Sequence, residues 1–276
     1  MIGVLTSFSA VAIGGRELAA ELSTFQILFF RSGLGLLIVA ALISGSGWGQ
    51  ISLAHWKLHA VRNIASVTGQ YGWFYALGVI PLAQAFAIEF TMPIWAAVLA
   101  TLILRERMTR ARLAAIALGL IGVLIILRPG AMAIEPGSLA MLGAAACFGF
   151  SAVYTRKLAQ RESALAILFY MGLMQLMLVA WPVVSNWATP SAAMWPWLLV
   201  ISIVGTFGHF CMARAMRLID ATVVAPMDFL RLPLIAVAGF VFYGEAFDAF
   251  VIGGGAMMLA GNIINIRAER AKGRPA

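Results

Sequence analysis

The chain has 276 residues, 62% of them hydrophobic and only 11% charged, with a formal net charge of +8. Soluble domains carry roughly 25% charged residues, so too little charge is present to cover a water-facing surface, and a soluble globular class is excluded. The basic residues sit in short segments between long apolar runs, which points to orientation in a membrane and not to nucleic acid.

A helix needs about 20 apolar residues to cross a hydrocarbon core of roughly 30 Å. Ten such spans are predicted, at 1–18, 24–43, 58–79, 82–104 and 110–127, then at 138–157, 163–185, 196–217, 221–243 and 248–266. The first span is short. About fifteen apolar residues precede Arg16, roughly 22 Å of helix at 1.5 Å each, so its arginine reaches the interface or the span starts upstream. No basic leader or cleavage site supports a cleaved signal peptide. Breaks between spans carry turn chemistry, as at Ser44-Gly45-Ser46-Gly47, Arg128-Pro129-Gly130, Glu135-Pro136-Gly137 and Ala188-Thr189-Pro190-Ser191. Trp48, Trp56, Trp187, Trp195 and Trp197 lie near predicted span ends, where an aromatic belt places them. Cys147 and Cys211 fall inside apolar runs and are read as packing residues.

Lys and Arg divide unevenly between the two sides. The segments joining odd to even spans hold about two, Arg16 and Arg128, whereas the other segments and the C-terminal tail hold about fifteen, among them Lys57, Arg105, Arg107, Arg156, Lys157 and Arg270. By the positive-inside rule both termini are cytoplasmic.

The halves of the sequence match each other at an offset of 139. Between 69 and 128 roughly one position in five is identical without a gap, including Gly69 with Gly208, Ala76 with Ala215, Phe90 with Phe229, Glu106 with Glu245, Gly122 with Gly261 and Arg128 with Arg267. A slip of one residue extends the match upstream, where Ile27-Leu28-Phe29 answers Ile167-Leu168-Phe169 and Arg16 answers Arg156. The repeat covers five spans, and an odd number makes the second copy enter the membrane from the opposite side. Inverted repeats of this kind characterise many secondary transporters, with the solute site near the midplane between the copies. The predicted fold is therefore an all-α integral membrane protein of ten transmembrane helices in two inverted five-helix repeats.

The stretch from Tyr75-Ala76-Leu77-Gly78-Val79-Ile80-Pro81-Leu82-Ala83 to Leu104-Arg105-Glu106-Arg107, followed by Gly119, Gly122 and Arg128-Pro129-Gly130, recurs in the second half as Ala215 to Ala221, Tyr243-Gly244-Glu245 and Gly261. This pattern resembles the EamA-type branch of the drug/metabolite transporter superfamily over nearly the whole chain. The resemblance implies one repeat over 1–130, a second over 138–267 and a cytoplasmic tail at 268–276. It also implies a central cavity lined by both halves, in the bacterial plasma membrane. Phe29-Phe30-Arg31 resembles a subgroup that includes uptake carriers.

Charge near the centre of a bilayer costs at least ~2.5 kcal/mol, so each such group is a candidate for function. Arg31 lies in span 2, Glu89 in span 4 and Asp228 at the matching place in span 9, with Arg231 three residues on. Gln70 in span 3 and His209 in span 8 are also repeat mates. The structural readings are an Asp228–Arg231 pair locking span 9, a Glu89–Arg31 clamp, and a packing role for His209. The functional reading gives Arg231 or Arg31 a solute carboxylate, Glu89 an amine, and Glu89, Asp228 or His209 a coupling proton. Trp73 would offer an aromatic wall to an amine or ring, or would simply pack.

Other features read as structural. Glu106 and Glu245 precede new helices beside the expected N-caps Thr109 and Asp248. His55 and His59 have the i, i+4 spacing of metal ligands without a third ligand nearby, and suit a wet interfacial turn. Gly253-Gly254-Gly255, Gly119, Gly122 and Gly261 suit close helix approach. Pro93, Pro226 and Pro233 suit bends in spans 4 and 9. No ATP-binding loop, metal site or cofactor motif is recognised. The expected partners are a small solute, a proton, the lipid bilayer and a second copy in a homodimer, with no nucleic acid.

The expected function is a secondary active or facilitative carrier of small polar metabolites, amino acids or related amines first, nucleoside-like or vitamin-like molecules second. A membrane-embedded transferase would need a His–Asp pair or clustered carboxylates at one membrane surface, and neither appears.

Overall fold

A computed structural model describes residues 2–104, 109–128, 134–218, 228 and 230–272, and among these the backbone forms helices and turns without a strand. The first half comprises α1 (Ile2–Ala19), α2 (Thr24–Ser46), two short 3₁₀ turns, α3 (Trp56–Val79), α4 (Leu82–Glu89), α5 (Met92–Leu104) and α6 (Arg110–Leu127). The second comprises α7 (Pro136–Ala159), α8 (Ala164–Ser185), α9 (Trp195–Leu218), α10 (Arg231–Tyr243) and α11 (Ala249–Lys272). Arg105, Glu106, Arg107, Pro129, Gly130, Ala221, Pro226 and Phe229, named above, lie outside the described residues.

Local chemistry repeats along with the sequence. Ser23 and Ser163 each hold extended dihedrals and cap the helix that follows, accepting from Gln26 N at 3.3 Å and Ala166 N at 3.1 Å. Each cap satisfies an N–H that the first turn would otherwise leave orphaned. The repeat is also visible in packing. α1 lies on α9 and α3 on α7, two contacts exchanged by the repeat, while α2 with α8 and α6 with α11 pair each helix with its own mate. The last pair is close because Gly122 and Gly254 face each other: a Cβ on either would stand 2.6–2.7 Å from the other's carbonyl oxygen. Gly253, by contrast, faces open space.

The predicted span 4 is two helices. A proline removes the hydrogen bond to the carbonyl four residues back and crowds it, and four residues before Pro93 stands Glu89, where α4 ends. Thr91 closes the break, donating from its hydroxyl to the Ile88 carbonyl at 2.8 Å, and its own carbonyl starts α5. Arg231 likewise begins α10 directly after a turn at Leu230, two residues ahead of Pro233.

α3 shows the solvent in which the fold is built. His59, Arg62, Asn63, Ser66, Gln70 and Trp73 recur at the helical period and are all buried. Val61, Ile64, Tyr71, Tyr75 and Val79 on its other faces are exposed. The polar stripe points into the bundle and the apolar face outward, as a helix in lipid requires. Five described helical segments are long and apolar enough to cross a membrane: Ile2–Ala19, Thr24–Ser46, Pro136–Ala159, Ala164–Ser185 and Ala249–Ala268.

One end of the bundle is tied together across the halves. Arg16 of α1 pairs with Glu245 in the α10–α11 turn and donates to the Ile80 carbonyl at 3.3 Å. Glu245 also accepts from Leu82 N at 2.9 Å. Glu245 therefore does cap a helix, but it is α4 of the other half and not the helix that follows it. Asp248 caps α11 as expected, accepting from Phe250 N at 2.8 Å, and it pairs with Arg128 as well.

Candidate functional site

The break in span 4 and the turn at Leu230 place the end of α4 and the start of α10 together, and the charged residues gather there. Arg231, the first residue of α10, donates to Asp228 at 2.5 Å and to Glu89, the last residue of α4, at 3.5 Å. The second Glu89 oxygen accepts from the Trp73 indole N–H at 2.7 Å. The rings of Phe8, Phe86 and Phe90 surround the guanidinium, with centroids 5.2–5.5 Å from its carbon. The two acids occupy matching places in the repeats, and both meet one arginine. Among the described residues the layer has more acid than base, and one Asp228 oxygen and the Arg231 Nε lack a hydrogen-bond partner.

A second cluster lies one turn away along α3. Arg31 of α2 donates to the side-chain oxygens of Gln70 and, at 3.2 Å, Gln175. Both amides in turn donate to the Ser66 hydroxyl, Gln70 at 2.9 Å and Gln175 at 3.2 Å. Gln70 and Trp73 are three residues apart on α3, so the clusters are joined by about one helical turn.

The sequence-derived candidates fall into place unevenly. The Asp228–Arg231 pair forms. The expected Glu89–Arg31 clamp does not: Glu89 is held by Trp73 and Arg231, while Arg31 is held by two neutral glutamines. Trp73 is buried, its ring edge-to-face with Phe74 and Phe86, so its N–H is the part engaged in the polar layer. His209 meets Phe8 edge-to-face at 5.1 Å, and that ring also lies against Arg231, so His209 flanks the layer through a ring and not through a hydrogen bond.

His55 and His59 share one partner, Glu162, at 3.0 and 2.7 Å. His59 is fully buried against the Tyr170 ring, not set in the wet interfacial turn that its position suggests. Gln175, Ser32, Ser66 and Arg62 were not singled out by sequence. The signal for Ser66 and Arg62 was the polar period along α3. Gln175 and Ser32 carry no comparable signal, being polar residues in otherwise apolar helices.

Comparisons agree with this architecture. The sequence profile of the EamA-like transporter family matches residues 1–128 and again 135–267. The S-adenosylmethionine uptake transporter of Rickettsia prowazekii is 25% identical, covering 98% of this chain and 92% of the relative. The riboflavin transporter of Brucella anthropi is 26% identical over the whole of both chains. The pseudopaline exporter of Pseudomonas aeruginosa is 29% identical, covering 98% and 96%. A solved crystal structure superposes with a TM-score of 0.67 over 99% of each chain at 18% identity, a likeness of fold.

Proposed function

The chain belongs to the EamA-like transporter family, and we propose from this premise that it moves small polar metabolites by alternating access at the charged layer between its halves. It is a multi-pass membrane transporter of metabolites, not an enzyme, and its bacterial relatives imply the inner membrane. The observation that carries the proposal is the convergence of Glu89 and Asp228 on Arg231 where two spans are broken. Broken helices at mid-depth free backbone groups and place charge where transporters of this architecture bind their solutes.

In this reading residues 1–130 and 138–267 are the rocking units, and the tail at 268–276 and both termini are cytoplasmic. Arg31, Gln70, Trp73, Glu89, His209, Asp228 and Arg231 face the pathway. The acid surplus around Arg231 suits a solute amine, and Glu89 or Asp228 suits a coupling proton. Amino acids and related amines fit such a layer. The relatives named for S-adenosylmethionine and riboflavin favour a second reading, a nucleoside-like or vitamin-like solute.

The test is uptake of a mixed metabolite pool into proteoliposomes, with and without an imposed pH gradient. Selective accumulation of one solute class is the expected result, and its response to the gradient assigns proton coupling. Demonstrably folded protein that accumulates nothing would refute the carrier reading.

A further inference from the structure

Three arginines are buried in the described bundle, and only one of them has acid beside it. Arg231 has Glu89 and Asp228. Arg31, 8% exposed, has the side-chain oxygens of Gln70 and Gln175. Arg62, 7% exposed, has the Thr155 hydroxyl at 3.0 Å, the Asn63 side-chain oxygen at 3.1 Å and the Met171 sulfur at 3.6 Å. Among the described residues neither Arg31 nor Arg62 is within ion-pair reach of a carboxylate. A buried charge without a counter-charge is costly, and neutral dipoles repay only part of that cost.

Arg31 lines one small cleft, and Arg62 stands behind it on the sulfur of a lining residue, Met171. Arg31, Ser32, Gln175 and Thr206 supply its polar wall, and Met171, which Arg62 touches, belongs to its apolar wall. The cleft measures about 20 Å³, room for about one water or the head of a small ion. Arg31 keeps donors in reserve: among the described residues its Nε is buried without a partner and its Nη1 makes no hydrogen bond. Gly205 leaves room beside that Nη1: an added Cβ would lie 4.0 Å from it.

We propose that this cleft is an anion subsite, that Arg31 binds a carboxylate of the transported solute, and that Arg62 supplies a second positive charge behind the Met171 wall. The inference rests on the carrier reading and narrows it. The acid surplus at Arg231 and the base surplus at Arg31 are touched by α3 residues about one turn apart, Trp73 and Gln70, so the matching solute is a zwitterion with its amine at the first and its carboxylate at the second. Arg231, the other candidate for the carboxylate, is already neutralised by two acids.

The test is thermal unfolding of the purified full chain in detergent, which needs no knowledge of the solute and no transport. Sodium acetate and sodium lactate are compared with sodium chloride at matched ionic strength, and acetamide and lactamide serve as neutral isosteres. A ligand that binds the folded state alone raises its melting temperature. The expected result is a rise with the carboxylates and none with the amides. Arg31→Gln should abolish the rise, and Arg62→Gln should raise the half-saturating concentration several-fold. Equal responses to acid and amide, an undiminished response in Arg31→Gln, or no response in the wild-type protein would each overturn the proposal. If Arg31→Gln fails to fold, Arg62→Gln decides: an unchanged half-saturating concentration overturns the second charge and with it the site. An absent carboxylate response beside successful proteoliposome uptake removes the subsite and leaves the carrier intact.

Discussion

Exchanging Glu89 for Gln separates what the charged layer does for folding from what it does for transport. Trp73 donates to one Glu89 oxygen at 2.7 Å, and Gln keeps an acceptor for it. Arg231 reaches the other oxygen only at 3.5 Å and retains Asp228 at 2.5 Å. The exchange therefore removes one long charge-assisted bond, worth about 1 kcal/mol, and leaves no ion orphaned. Asp228→Asn keeps an acceptor but strips the charge from the short contact, leaving Arg231 its distant acid as sole counter-charge among the described residues. Its cost should approach the lower end of the about 3 to 5 kcal/mol that breaking a buried pair exacts. Function should rank the other way for Glu89. If its charge faces a solute amine, losing it costs about 2 kcal/mol or more at a desolvated site, a fall in uptake of about thirtyfold or more. The assays are thermal unfolding in detergent and initial-rate uptake of the accumulated solute into proteoliposomes. The reasoning fails if Glu89→Gln unfolds as readily as Asp228→Asn, or if it folds and transports at the wild-type rate.

Further outcomes follow from single contacts. Trp73→Phe keeps an aromatic ring and removes the donor to Glu89; it should cost about 1 to 3 kcal/mol and shift the apparent affinity for solute, both readable in the same two assays. Glu245→Ala strips Arg16 of its acid and Leu82 N–H of its cap; because Arg16 is about a quarter exposed, the melting loss should correspond to about 2 to 3 kcal/mol, with Glu245→Gln intermediate. Gly254→Val would force a Cβ to 2.6 Å from the Gly122 carbonyl oxygen; it should cost at least about 3 kcal/mol by overpacking, whereas Gly253→Val, facing open space, should leave the melting temperature nearly unchanged.

Solvent, elements and their repetition are legible in the residues alone. Apolar runs long enough for a bilayer and glycines at Gly122 and Gly254 are local signals, because helix length and close approach depend on residues within a turn or two. The repeat made Glu89 and Asp228 legible as a pair. It did not say that both would meet Arg231, nor that Arg31 would rest on Gln70 and Gln175 instead of Glu89. Those outcomes depend on the rotation and depth of each helix against its neighbours, and the partners are far apart in the chain, 142 positions for Arg231 and Glu89 and 163 for Glu245 and Leu82. Span 4 marks the boundary between the two kinds of knowledge. Pro93 announced a bend, but only the packed structure turned it into a break ending at Glu89, because a broken helix is tolerated in lipid only where neighbouring groups satisfy its backbone.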